Sequence, residues 1–151
     1  MTQTPAELAR SIDDARQRFI GFVQQCTDED WRTAPVDGDP RPVGVIADHV
    51  AHAYEYLAKW IGEVVAGKPV EVNAAVVDEL NAEHAGDAGS VTPAHVTGHL
   101  GASGDAIVAL VAGLTASELD ADGGRPRRFA QIAIRHADDH RAQMTEALAA
   151  G

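Results

Sequence analysis

Leu8, Ile12, Ala15, Phe19, Phe22 and Val23 recur three and four residues apart, the spacing that lines one face of an α-helix. The same period returns in Val43, Ile46, Val50, Tyr54, Leu57, Ile61 and Val64, then in Val96, Leu100, Ile107, Val111 and Leu114. A last series holds Phe129, Ile132, Ala133, Met144, Ala147 and Leu148. No segment alternates apolar and polar residues at period two, and the β-branched residues sit inside helical stripes. Four such stripes without a strand can be buried only against one another. The expected fold is therefore all-α, an antiparallel four-helix bundle with one long loop and one short helical insert.

Local signals place the boundaries. Thr4-Pro5-Ala6-Glu7 reads as a capping box with proline at the first helical position, so the first helix runs from about Pro5 to Gln25. Between Thr27 and Arg41, Pro35, Gly38 and Pro40 mark a loop, with Trp31 folded back as an anchor. The second helix follows Pro42 and extends to about Ala66, where Gly67-Lys68-Pro69 stops it. Asn73 to His84, with Ala74, Val77 and Leu80, reads as the short insert, broken from Gly86 to Ser90. Thr92-Pro93 opens the next helix, which continues to Gly113, and Thr115 to Glu118 caps a brief turn. After a turn from Asp120 to Arg125, the last helix runs from Pro126 to about Ala149. At 151 residues and 45% apolar composition, residues 1–151 form one domain whose core needs no metal or disulfide staple. A metal bound here would serve function.

Charge and cysteine content remove several classes. The formal net charge is -11 and no stretch gathers basic residues, so nucleic acid is not an expected partner. The apolar runs fall short of the ~20 residues that span a bilayer, and no leader-like segment is present; a cytoplasmic protein with no membrane partner is expected. The lone Cys26 excludes an internal disulfide and any multi-cysteine zinc site. Its neighbours Gln24, Gln25 and Thr27 hold nothing that would lower a thiol pKa, so it reads as a small buried hydrophobe. With no glycine-rich phosphate loop and no nucleophile elbow, the seven histidines are what remains.

Helix geometry sorts them. With about 100° per residue, Phe129, Ile132, Ala133, Gln143 and Ala147 fall within roughly 60° of His136, and His140 lies about 40° from it. Both imidazoles are thus read as centred on the core-facing stripe, stacked on adjacent turns as two ligands of one metal ion would be. A pair of hydrogen-bonded core histidines has the same pattern, and that reading stays open. On the second helix His49 sits on the shoulder of the apolar stripe and is the better third ligand, whereas His52 falls on the expected solvent face. His95 and His99 form a second pair one turn apart, expected at the surface or edge. His84, near a break, is expected to be exposed.

The segment Pro42-Val43-Gly44-Val45-Ile46-Ala47-Asp48-His49-Val50-Ala51-His52 and the ending His136-Ala137-Asp138-Asp139-His140-Arg141-Ala142-Gln143-Met144 together resemble the DinB-like superfamily. That superfamily includes thiol-dependent maleylpyruvate isomerases and related S-transferases. Thr27-Asp28-Glu29-Asp30-Trp31 is similar to the segment before the second helix in the mycothiol-dependent branch, and Asp78 to Ala85 to the short third-helix stretch. Two positions differ. Arg41-Pro42 stands where members often carry tryptophan, and His136 stands where the mycothiol isomerases usually have an acid, which places the chain nearer the three-histidine members.

The resemblance implies that His49, His136 and His140 hold a divalent ion, zinc or nickel foremost, with iron or manganese also suited. It implies open positions for water or a low-molecular-weight thiol, a small-molecule substrate, and a homodimer. Asp139 and Asp48 adjoin these residues and could orient an imidazole, although solvated helix charges are the simpler reading of both. Two functional expectations follow: a metal-dependent thiol transferase, isomerase or hydrolase, or a metal-binding stress-response bundle without turnover.

Overall fold

The computed structural model describes residues 2–34, 39–87 and 91–150, and among them the chain forms seven helices and no strand. These are α1 (Pro5–Gln25), α2 (Asp28–Arg32), α3 (Val43–Val65), α4 (Ala74–Asp87), α5 (Pro93–Ala112), α6 (Ala116–Leu119) and α7 (Ala121–Ala150). Pro35 and Gly38 of the expected first loop, and residues 88–90 of the expected break, lie outside the described residues. The four long helices α1, α3, α5 and α7 are the four read from the apolar stripes. The short α2 was not expected. Its signal was present, because Thr27 accepts from the Asp30 backbone N–H while the Asp30 carboxylate accepts from that of Thr27, the same reciprocal cap that starts α1 and α6. In α7 the backbone turns left-handed at Asp122, Gly123 and Gly124, and the regular helix follows them, as the turn chemistry and Pro126 indicated.

Helices α1 and α3 each pack against both α5 and α7, so α1 faces α3 across one diagonal and α5 faces α7 across the other. Contacts along the helices fix their directions. Near its start α3 meets His136 and His140 of α7, and near its end Trp60 stacks on Phe129 at 5.6 Å, so α3 and α7 are antiparallel. Helices α3 and α5 instead run the same way: Trp31, packed on Gly44, donates from Nε1 to the Val91 carbonyl at 2.9 Å, and Asp48 meets His99 further along. Two parallel neighbours require the chain between them to travel back along the bundle, about 35 Å for the 23 residues of α3. The α4 insert makes that return across the outside of α3.

The core is drawn from Ile12 and Phe19 of α1, Ile46, Tyr54 and Leu57 of α3, Leu100 and Ile107 of α5, and Met144 of α7, all buried. Besides Phe129 and Met144, helix α7 presents Ala130, Ala133 and Ala137 to the core, small side chains that let it pack closely on its neighbours. That small-residue face corrects the expected orientation of α7. Its buried stripe is centred about 80° from His136, Ile132 is 38% exposed, and His136 and His140 stand half-buried at the edge rather than on the centre line. The large side chain of Ile132 misled the wheel, because three alanines bury as well as one isoleucine and pack closer.

Gly44 is where the α2 turn rests on α3. A Cβ there would lie 2.7 Å from two atoms of the Trp31 indole, so Gly44→Ala must displace a ring that is also hydrogen-bonded to the start of α5. Overpacking of this kind costs about 1–3 kcal/mol, and the better helix propensity of alanine returns part of it. Gly62, on the same helix, has nothing within 4 Å of the corresponding position. Chemical denaturation should show Gly44→Ala destabilised by about 1–2 kcal/mol and Gly62→Ala stabilised by about 0.5–1 kcal/mol.

Candidate metal centre

The first half of α3 is enclosed on every side, with each residue from Val43 to Ala51 buried. Two of these nine are polar, Asp48 and His49, and burial obliges both to find partners.

His49, 2% exposed, points across the antiparallel face toward α7. Its Nε2 lies 3.0 Å from Nε2 of His136, which lies 3.1 Å from Nε2 of His140. The three rings stand close to perpendicular, with centroids 4.5 to 5.4 Å apart and interplanar angles of 72° to 90°. The fold thus converges one nitrogen from each of the three imidazoles on one point. Ligands at about 2.0–2.1 Å in a tetrahedron around zinc are separated by about 3.3 Å, so only a small expansion would admit an ion. Burial pushes the pKa of His49 down to about 2, helped by the neighbouring imidazoles, and that of His136 down to about 3 for the same reasons. His140 is lowered by burial and by the Arg41 guanidinium. At neutral pH all three rings carry free lone pairs, the form that binds a metal. The Nδ1 of His49, the ring nitrogen not turned to this cluster, is buried without a hydrogen-bond partner.

Asp48 turns the other way. Its Oδ2 lies 2.7 Å from His84 Nε2 and its Oδ1 lies 2.6 Å from His99 Nδ1. Burial would raise its pKa, but the two imidazoles hold it at about 2. His99 also contacts Glu55 through Nε2, and although burial works against it, the two carboxylates raise its pKa. His52 stacks on His84, with centroids 5.1 Å apart. Asp48 therefore orients imidazoles, but those of α4 and α5 rather than those of the α3/α7 centre. Asp139 is exposed and makes no hydrogen bond to an imidazole among the described residues; its charge acts on His140 only through space.

Two sequence expectations change here. His84 is 8% exposed instead of open to solvent, and His52 is half-buried instead of facing solvent. Both changes follow from the return path of α4 over α3, which no periodicity in residues 74–87 announces. Arg41 was missed as well. It pairs with Asp39 at 2.8 Å, and its charge lowers the pKa of His49, His136 and His140 alike. His95 is exposed and His99 lies at the edge, as the wheel indicated.

A profile of the DinB superfamily matches residues 11–144. Among curated proteins nothing matches the chain. The crystal structure of an uncharacterised protein from Escherichia coli UTI89 is similar, with a TM-score of 0.74 over 99% of this chain and 95% of that one, at 16% identity. At that identity the likeness is one of fold. No helix among the described residues is long and apolar enough to cross a membrane.

Cys26 belongs to neither histidine group, its Sγ donating to the Phe22 carbonyl at 3.4 Å. Burial, and then the charge of Asp30, push its pKa to about 11. Alkylation of Cys26 by iodoacetamide should therefore be slow at pH 7 and rise about tenfold per pH unit up to about 11. A rate that levels off near pH 8 would show an ordinary thiol instead. Replacing Asp48 by alanine strips His84 of its hydrogen bond to α3. Asp48→Ala is expected to cost about 2 kcal/mol and to speed amide hydrogen exchange in α4 ahead of the four core helices.

Proposed function

This chain belongs to the DinB superfamily, and we propose that it is a metal-dependent enzyme in which His49, His136 and His140 hold a divalent ion. The proposed chemistry is transfer or addition of a low-molecular-weight thiol to a small electrophile, with hydrolysis of a small substrate as the neighbouring case. The observation that carries the reading is the convergence of three neutral imidazole nitrogens from α3 and α7, 3.0 and 3.1 Å apart in sequence around the cluster. Three nitrogen donors suit zinc or nickel, and also iron or manganese.

A divalent ion with three protein ligands keeps a position open and lowers the pKa of water or a thiol bound there toward neutrality. The chain's own residues do the rest. His49, locked inside α3, is the rigid member. His136 and His140, half-buried at the edge of α7, are the members that a substrate would approach from solvent. Arg41 adds positive potential at that opening, which favours an anionic group such as a thiolate or carboxylate. Cys26, held as a thiol, is no nucleophile for this reaction, so the thiol must arrive with the substrate. A cytoplasmic setting, where small thiols stay reduced, accords with this.

Elemental analysis of protein purified without a polyhistidine tag tests the site. Each of His49→Ala, His136→Ala and His140→Ala should lower bound metal by about one ion per chain, and thiol-dependent turnover in a screen of small electrophiles should vanish in His136→Ala. Metal binding without turnover of any thiol or electrophile would favour a metal-binding bundle. No metal under conditions that load known zinc proteins would leave a plain bundle with histidines in its core.

A further inference from the structure

Helix α3 turns two consecutive polar residues toward opposite neighbours. His49 faces a pair of histidines one turn apart on α7, and Asp48 faces another such pair, His95 and His99, on α5. A ligand atom of each of Asp48, His95 and His99 lies within 4.8 Å of the other two. We propose that Asp48, His95 and His99 form a second site for a divalent transition-metal ion, distinct from the three-imidazole centre and open to solvent.

The donor set is one carboxylate oxygen and two imidazole nitrogens, a combination that zinc and its neighbours accept and that magnesium and calcium, which prefer oxygen, do not. The anchor is rigid. Asp48 is 4% exposed, and while its Oδ1 faces His99 Nδ1 at 2.6 Å, its Oδ2 is held by His84 Nε2 at 2.7 Å. An imidazole gripping the far oxygen of a carboxylate is the outer partner that orients a metal ligand. His84 is itself more than nine-tenths buried, and its Nδ1 has no partner.

Charge favours a cation at the same place. Glu55 also contacts His99, and its other oxygen lies 3.6 Å from His52 Nδ1. Two carboxylates therefore bracket one imidazole, with Glu55 holding the Nε2 of His99 while Nδ1 faces Asp48. To take an ion, Asp48 Oδ1 and His99 Nδ1 give up their direct 2.6 Å contact and each turns a lone pair to the metal. His95 is exposed and His99 half-buried, so the remaining coordination positions face water. The two sites share no ligand, because Asp48 and His49 leave α3 on different sides.

The test uses chelator-stripped protein dialysed against zinc, with bound metal counted for the native chain, His95→Ala, His136→Ala and the double variant. The expected counts are about two, one, one and none per chain. His95 is exposed, so its replacement leaves the core intact, and cobalt offered in place of zinc reports the ligand field of the ion retained in His136→Ala as a mixed oxygen and nitrogen set. Two ions retained in His95→Ala would overturn the second site. So would one ion in the native chain that survives His95→Ala and is lost in His136→Ala. One ion lost in His95→Ala and untouched by His136→Ala would uphold this site and overturn the three-imidazole reading.

Discussion

The unbroken burial of α3 from Val43 to Ala51 governs what surrounds it. A charged carboxylate and an imidazole placed in such a segment lose their hydration, and each must recover the loss from side chains on other helices. Asp48 recovers it from His84 and His99, whereas His49 meets His136 through Nε2 and leaves its Nδ1 unpartnered. The helix that contributes most to the apolar core thereby becomes the helix from which the polar chemistry is organised. All seven histidines stand within ring contact or hydrogen-bonding distance of an α3 side chain or of a ring that is, His95 through His99.

Helix direction then decides which residues meet. Because α3 and α7 are antiparallel, the start of one lies beside the later part of the other, and His49 finds the pair at 136 and 140. Because α3 and α5 are parallel, Asp48 finds residues near the start of α5, and the chain must cross back between them. The crossover segment α4 has little apolar periodicity of its own. Much of what fixes it is the hydrogen bond of His84 to Asp48 and the stack of His84 on His52, so a polar contact does there what an apolar stripe does elsewhere.

The alanine face of α7 has a functional consequence. Ala130, Ala133 and Ala137 are small enough for close packing, and His136, at the edge of that face, meets His49 across the interface at 3.0 Å. His136 and His140 gain their neutral state from this partial burial without being sealed from solvent. Larger residues at those three positions would press α7 outward and part these rings from His49.

The period of the apolar residues determined the four long helices, and the capping residues determined most of their ends, because both are local properties of a helix that has to hide one face. The spacing of His136 and His140 was likewise legible, since one turn of helix fixes it. The sequence also contained the reciprocal cap of α2 at Thr27 and Asp30. What it could not contain was the rotation of α7, which depends on how closely alanines pack, or the burial of His84, which depends on where a crossover lands. Nor did it distinguish Asp48, whose partners are 36 and 51 residues away, from a solvated charge. Periodicity reports which face of a helix is hidden, whereas the identity of what hides it belongs to helix direction and connection, and those exist only once the bundle has formed.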